Sequence, residues 1–145
     1  MLLSTHHRPN HLLLFFLILT PTLTQVPWRN CPSTPTENIL LSTVSVSPWP
    51  ITRGVQSTFY FEGTSRYIGL QGYARLEVVN AFSMTKIYDI DLGKSQLVEY
   101  GKKYTYGFNY TFPSFIPVGS YYVLINMIDI DKKDTFLCVM INMSF

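Results

Sequence analysis

The sequence is poor in the side chains that most often carry chemistry. Its only histidines, His6, His7 and His11, fall in the first eleven residues. Beyond them there is no imidazole to act as a base near neutrality, so Ser-His-Asp and Cys-His catalysis lack a partner. There are two cysteines, Cys31 and Cys138, and no Cys/His cluster of the kind that holds zinc. Charged residues make up 14% of the chain and the net charge is +2, which gives no electrostatic footprint for a nucleic acid. No phosphate-binding loop or dinucleotide fingerprint occurs, so no cofactor is expected. The longest apolar run, residues 12–19, has eight residues, against about 20 needed to span a bilayer. No segment has a helical period and no repeat is visible.

What is abundant is apolar and aromatic surface, 47% and 15% of residues. Together with the low charge, this excludes disorder and favours one β-rich domain. Residues 1–24 read as a secretory signal: a weakly basic head with Arg8, the apolar run, then the small residues Thr22 and Thr24, with cleavage after Thr24. The alternative, a membrane anchor, has too short a run. Such a signal sends the protein out of the cell or into the lumen of a lysosome, vacuole or other endomembrane compartment. There Cys31 and Cys138 are able to pair; the alternative is two free thiols. Residues 25–37, with Pro27, Pro32 and Pro35, form an extended leader. Residues 38–145 form the domain.

Strands follow from period-2 alternation. Residues 39–47 place Val44 and Val46 inward, and Pro48 and Pro50 end the strand. Residues 55–62 turn Val55, Phe59 and Phe61 to one face. Residues 69–79 turn Ala74, Leu76 and Val78 inward and Tyr73, Arg75 and Glu77 outward. Residues 81–90 continue extended past a bend near Asn80, with Phe82 and Met84 as apolar contacts, and residues 91–103 are a polar connection. Residues 104–112 alternate without a break: Tyr104, Tyr106, Phe108, Tyr110 and Phe112 against small or polar neighbours. Residues 120–128 and 135–145 close the set, the last with Val139, Ile141, Met143 and Phe145 on one side. Asn109-Tyr110-Thr111 and Asn142-Met143-Ser144 are N-glycosylation sequons on the opposite, polar side of their strands. About seven short strands between Pro/Gly turns predict an all-β antiparallel sandwich.

Two acidic groups merit a functional reading and fail it. Asp129, Asp131 and Asp134 have the residue type for calcium, but the loop lacks the glycine and closing glutamate of an EF-hand. A solvated hairpin tip is the better account. Asp89 and Asp91 share one strand face, where a surface charge pair is expected rather than the facing carboxylates of a glycosidase. A hydrolase would need a cleft lined by Asp89, Asp91 or Glu99.

Several segments in order resemble the ML (lipid-recognition) domain family, which includes lysosomal sterol carriers and phosphatidylglycerol/phosphatidylinositol transfer proteins. Val44-Ser45-Val46-Ser47-Pro48-Trp49-Pro50 with Arg53-Gly54 resembles its opening strand and proline turn. Phe115-Ile116-Pro117-Val118-Gly119-Ser120-Tyr121 resembles its aromatic Ile-Pro link. Asp129-Ile130-Asp131-Lys132-Lys133 with Phe136-Leu137-Cys138-Val139 resembles its final hairpin and terminal cysteine. The chain departs from many members in having Trp49 where they have cysteine, and no cysteine pair in residues 91–101. The resemblance implies an immunoglobulin-like sandwich with a lipid cavity between its sheets. It also implies a non-enzymatic role, binding and transferring a sterol or phospholipid.

On that reading the lipid-binding rows are Val46, Phe59, Phe61, Leu76, Val78, Tyr106, Phe108, Tyr110, Val123, Ile125, Met127, Val139 and Ile141. Phe115, Ile116 and Pro117 form a rim at the mouth. Taken by their pattern alone, the same rows describe the core of a closed sandwich. The protein would act as a monomer with transient membrane contact and a membrane protein as a possible acceptor. The alternative function is a secreted immunoglobulin-like adhesion or receptor-binding module with a filled core.

Overall fold

Alternating side chains bury one face of each strand, and two such faces closed on each other make the fold. The computed structural model describes residues 23–32, 38–67, 71–95 and 97–145, and contains no helix among them. The bulk of the signal segment, part of the leader and the start of the predicted third strand lie outside the described residues. Among the described residues nine strands run in chain order: β1 Thr24–Gln25, β2 Trp28–Asn30, β3 Ile39–Ser47, β4 Gln56–Ser65, β5 Gly72–Asn80, β6 Lys86–Lys94, β7 Lys103–Thr111, β8 Ser120–Asp129 and β9 Thr135–Ser144. They form two antiparallel sheets, one ordered β1-β3-β4-β7 and the other β2-β9-β8-β5-β6. The architecture is the immunoglobulin-like sandwich expected.

The inward rows are also those expected. Val44, Val46, Phe59, Phe61, Ala74, Leu76, Val78, Val123, Met127, Val139 and Ile141 are completely buried. Cross-strand register lines them up: Val46 opposes Phe59, Phe59 opposes Phe108, Leu76 opposes Ile125 and Val123 opposes Ile141. β3 ends at Ser47, just before Pro48. Proline carries no N–H for the ladder, which accounts for the boundary.

Four local expectations are corrected. Val55 is exposed, because β4 begins one residue later and Val55 belongs to the turn that Gly54 makes with φ of 75°. Phe82 and Met84 are not core contacts: they project from the tight β5–β6 hairpin. That turn is held by the Asn80 side chain, whose Oδ1 accepts from the Phe82 and Ser83 amides at 2.9 and 3.0 Å. The extended stretch therefore does not run through residues 81–90; it restarts at Lys86. Finally, residues 91–94 are not part of a polar connection but the end of β6.

The leader contributes to both sheets. β1 pairs with β3, with Thr24 opposite Val46, and β2 pairs with β9, with Asn30 opposite Val139. Between them the chain crosses from sheet to sheet at Val26, which is buried. Cys31 and Cys138 form a disulfide, Cα atoms 5.4 Å apart, spanning 107 residues of sequence. The bridge fastens the leader to β9. Replacing both cysteines by alanine is expected to lower unfolding stability by about 2–5 kcal/mol, since the closed loop is long. Denaturant melts of the wild type and the double variant, without reductant, measure it.

Candidate functional site

The two sheets meet differently along their two margins. At one, β1 and β2 are joined by two residues of backbone. At the other, β7 is the last strand of its sheet and β6 the last of its own, so among the described residues no main-chain ladder links them. Along this margin the inward row of β7 changes character. Tyr104 and Phe112 at its ends are buried, whereas Tyr106, Phe108 and Tyr110 between them are only half-buried. Facing them from β6 are Tyr88 and Ile90, turned inward because they pair with Val78 and Leu76. Tyr88 and Leu92 are half-buried against the core and Ile90 is 41% exposed. The result is a seam whose ends are shut and whose middle shows apolar side chains to solvent.

Side chains hold this seam. The Tyr110 hydroxyl donates to the Tyr88 hydroxyl at 3.0 Å, joining the two sheets across the gap. Burial, and then the bond to Tyr110, push the Tyr88 phenol well above its ordinary value, so it stays neutral and the tie persists at any physiological pH. Tyr88 also meets Phe115 edge-on at 6.4 Å. Behind the seam the rings form a column: Phe59 stacks on Phe108 at 4.8 Å with planes 5° apart, and Phe61 lies 6.4 Å from Tyr106 and 6.2 Å from Phe108. Such pairs contribute beyond their buried area.

The predicted residues thus separate into three sets. Val46, Phe59, Phe61, Leu76, Val78, Val123, Ile125, Met127, Val139 and Ile141 are interior and at most 1% exposed. No water-sized space touches them, so the slot expected between the sheets is closed in this structure. The large ring and branched side chains of the two rows fill the gap. Tyr106, Phe108 and Tyr110 line the seam. Of the predicted rim, Ile116 is buried, its carbonyl accepting from the Arg53 guanidinium, while Phe115 and Pro117 are exposed. The residues missed are Tyr88, Ile90 and Leu92. Their signal was present in the alternation Tyr88-Asp89-Ile90-Asp91-Leu92, masked by its acidic half.

That acidic half faces out, as expected of a surface pair. Arg75 Nε lies 3.1 Å from Asp91 and 3.9 Å from Asp89, and Lys86 Nζ lies 3.3 Å from Asp89. Asp129 caps its hairpin, its Oδ1 accepting from the amides of Asp131 and Lys132 at 2.8 and 3.1 Å. Inside, two inward hydroxyls have no hydrogen-bond partner among the described residues: Ser57 Oγ and Tyr104 Oη, both buried. An unpartnered buried hydroxyl costs about 1–3 kcal/mol, and a ligand oxygen or water reaching either would recover part of that. The sequon asparagines, Asn109 and Asn142, are both exposed.

Fold and seam together define a β-sandwich with a largely apolar interior, joined by backbone along one margin and held by side chains along the other. The chain belongs to the ML-domain family, whose model matches residues 25–145. It resembles a Niemann-Pick type C2 protein from Japanese carpenter ant at 12% identity and a TM-score of 0.66, covering 81% of this chain and 98% of that one. It also resembles chicken MD-1, solved in complex with lipid IVa, at 13% identity and a TM-score of 0.53, covering 81% and 88%. The C-terminal domain of wzt follows at 11% identity and a TM-score of 0.55, covering 87% and 79%. No curated protein matches the chain significantly.

Tyr88→Phe removes the tie without removing the ring. It is expected to lower stability by no more than about 1.5 kcal/mol and to speed amide exchange in β6 and β7 selectively, leaving β8 and β9 unchanged. Hydrogen-exchange mass spectrometry resolves the two. Stability should also be flat between about pH 5 and 9. Burial raises the phenols of Tyr88, Tyr104 and Tyr106 above their ordinary 10.0. Their stabilisation is therefore complete below about pH 10 and lost as pH rises beyond it. Hydrogen bonds from Lys103 and then Tyr60 hold the Glu62 carboxyl below its ordinary 4.5, so its contribution is present above that pH and fades below it. Thermal melts across pH 3–11 check both limbs.

Proposed function

We propose that the protein is a lipid carrier: it takes the tail of a sterol or phospholipid between its sheets through the β6–β7 seam. The observation that carries this reading is the half-open middle of that seam. Family membership supports it. In the seam Tyr106, Phe108, Tyr110 and Ile90 are reached from solvent, and among the described residues the strands facing each other share no main-chain hydrogen bond. Because the interior is closed, loading requires the margin to part. Tyr106, Phe108 and Tyr110 would then swing with β7, away from Tyr88, Ile90 and Leu92. A hydrocarbon tail entering such a space gains about 0.8 kcal/mol per buried methylene, enough over a long chain to offset the aromatic contacts it displaces. The headgroup stays at the seam.

The end of the sandwich beside the seam suits brief membrane contact. Phe82, Phe115 and Val118 are 87%, 73% and 75% exposed. The loops that carry them are tied together by the Ala81 amide donating to the Ser120 carbonyl at 3.0 Å. Apolar tips of this kind insert shallowly into a headgroup region, and the low net charge keeps the encounter short. The protein would work as a monomer, secreted or in an endolysosomal or vacuolar lumen after removal of residues 1–24, which takes Thr24 from β1 and leaves Gln25 opposite Ser45 and the Val26 amide bonded to the Val44 carbonyl at that margin. It would hand cargo to a membrane or a membrane-protein acceptor and perform no chemistry on it.

The filled interior favours a second reading, a secreted immunoglobulin-like module that binds a receptor through the same apolar end. Titration separates the two. The delipidated protein is mixed with a fluorescent sterol and with a fluorescent phospholipid. The carrier shows saturable binding of at least one, weakened at least about tenfold, or about 1.4 kcal/mol, by Ile90→Glu at the seam. Absence of saturable binding of both ligands removes the carrier and leaves the module.

A further inference from the structure

The outer face of the five-stranded sheet is less polar than a solvated face should be. Tyr122 and Leu124 of β8 and Met140 and Cys138 of β9 pack there with Cys31 in a second apolar cluster, separate from the core. Two grooves run along it. One, of about 420 Å³, passes over Leu124, Cys138 and Met140. The other, of about 260 Å³, is lined by Pro27, Trp28, Arg29, Tyr122, Met140 and Asn142, and is smaller than the roughly 300–1,000 Å³ of ordinary small-molecule pockets.

This smaller groove has the composition of a sugar platform. Tyr122 offers an aromatic surface. Arg29 lies over that ring at 5.6 Å and reaches Met140 Sδ at 3.2 Å, so its remaining N–H groups are placed at the groove as donors for hydroxyl oxygens. A pyranose ring has the matching chemistry, a C–H face and a rim of hydroxyls. The groove also contains its own attachment point. Asn142 opposes Tyr122 in the β8–β9 ladder, which puts the two side chains on one face with Cβ atoms about 4.5–5.5 Å apart. Asn142 is exposed and opens the sequon Asn142-Met143-Ser144. The other sequon lacks this setting: Asn109 opposes Thr58, whose hydroxyl donates to Asn109 Oδ1 at 2.8 Å.

We propose that Asn142 carries an N-linked glycan whose first N-acetylglucosamine lies in the groove against Tyr122, covering the apolar outer face of the five-stranded sheet. The glycan is then part of the folded structure, whereas one at Asn109 projects into solvent. The inference rests on passage through the secretory lumen and is independent of what the interior binds.

The test uses the full chain secreted from eukaryotic cells that make high-mannose glycans, as the Asn109→Gln variant so that only Asn142 is read. Glycopeptide mass spectrometry gives occupancy. Thermal melts then compare the intact glycoprotein, the product trimmed to one N-acetylglucosamine, and the fully deglycosylated product. The expected result has three parts. Trimming leaves Tm unchanged. Full removal lowers it by roughly 3–6 °C, of the order that about 1 kcal/mol gives in a domain of this size. Tyr122→Ala abolishes that difference. The N-acetyl methyl proton of the trimmed form is shifted upfield by the Tyr122 ring, a readout that needs no destabilising variant. An empty Asn142 overturns the proposal, and occupancy at Asn109 in the unmutated chain then shows that lumenal passage itself still holds. Equal Tm with and without the sugar overturns it as well. So does a sugar-dependent Tm that survives Tyr122→Ala and is lost instead in Trp49→Ala, which would place the ring in the neighbouring groove over Trp49, Pro50 and Ile51.

Discussion

One margin of this sandwich is held by backbone and the other by side chains, and the rest of the molecule follows from that asymmetry. At the first, the chain steps from β1 to β2 across Val26, and the Cys31–Cys138 bond fastens the leader to β9. At the second, the Tyr110–Tyr88 hydroxyl bond joins β7 to β6, and Tyr88 meets Phe115 of the loop after β7 edge-on. Main-chain ladders and covalent bonds open cooperatively or not at all. A phenol pair in a partly solvated seam is worth about 1 kcal/mol. On the proposed carrier reading, the sheets would part on the β6–β7 side, with the covalent step through Val26 and Pro27 as the hinge.

The interior is suited to such a motion in a way that an aliphatic core is not. The rings of Phe59, Phe61, Tyr106 and Phe108 overlap as a column running from the centre of the four-stranded sheet to its free edge. Phe108 stacks on Phe59 and Phe61, whereas Tyr106 is tilted against both Phe61 and Phe108; such flat contacts re-form against another flat or flexible apolar body. Met127 and Met143 at the opposing sheet add unbranched side chains that adapt to the shape of what they meet. Ser57 and Tyr104 have hydroxyls inside without partners among the described residues. A core optimised only for stability would replace both with apolar groups of the same shape.

Much of the fold was legible because period-2 alternation is a direct image of a half-buried strand. The stretch from Tyr104 to Phe112 is read almost without loss, and so are Val44 with Val46 and Ala74 with Leu76 and Val78. β6 was the hard case. Tyr88, Ile90 and Leu92 alternate just as clearly, but the sequence reading ends the extended stretch at Ile90, because Asp91 opens a segment as polar as a loop, and it places Phe82 and Met84 rather than Tyr88 and Ile90 as the apolar contacts. Pairing along β5 makes a strand of this segment, with both carboxylates turned outward, where Arg75 meets Asp91 and Asp89 and Lys86 meets Asp89. Phe82 and Met84 failed for the converse reason: apolar residues in a turn look like core residues until the Asn80 cap is seen to turn them outward.

From the residues by themselves one learns which face of each strand is greasy, where the prolines stop it, and that two cysteines near the ends are able to close the chain. These are local matters, set by side-chain chemistry and the pleat. Which strands become the free edges, and that the same margin collects the half-buried tyrosines, were decided by the strand order of two separate sheets. So was the meeting of Asn142 with Tyr122, twenty residues away along the chain and directly opposite in the ladder. Strand order depends on long-range pairing, which no window of sequence contains, because the pairing energy exists only once both partners are in place.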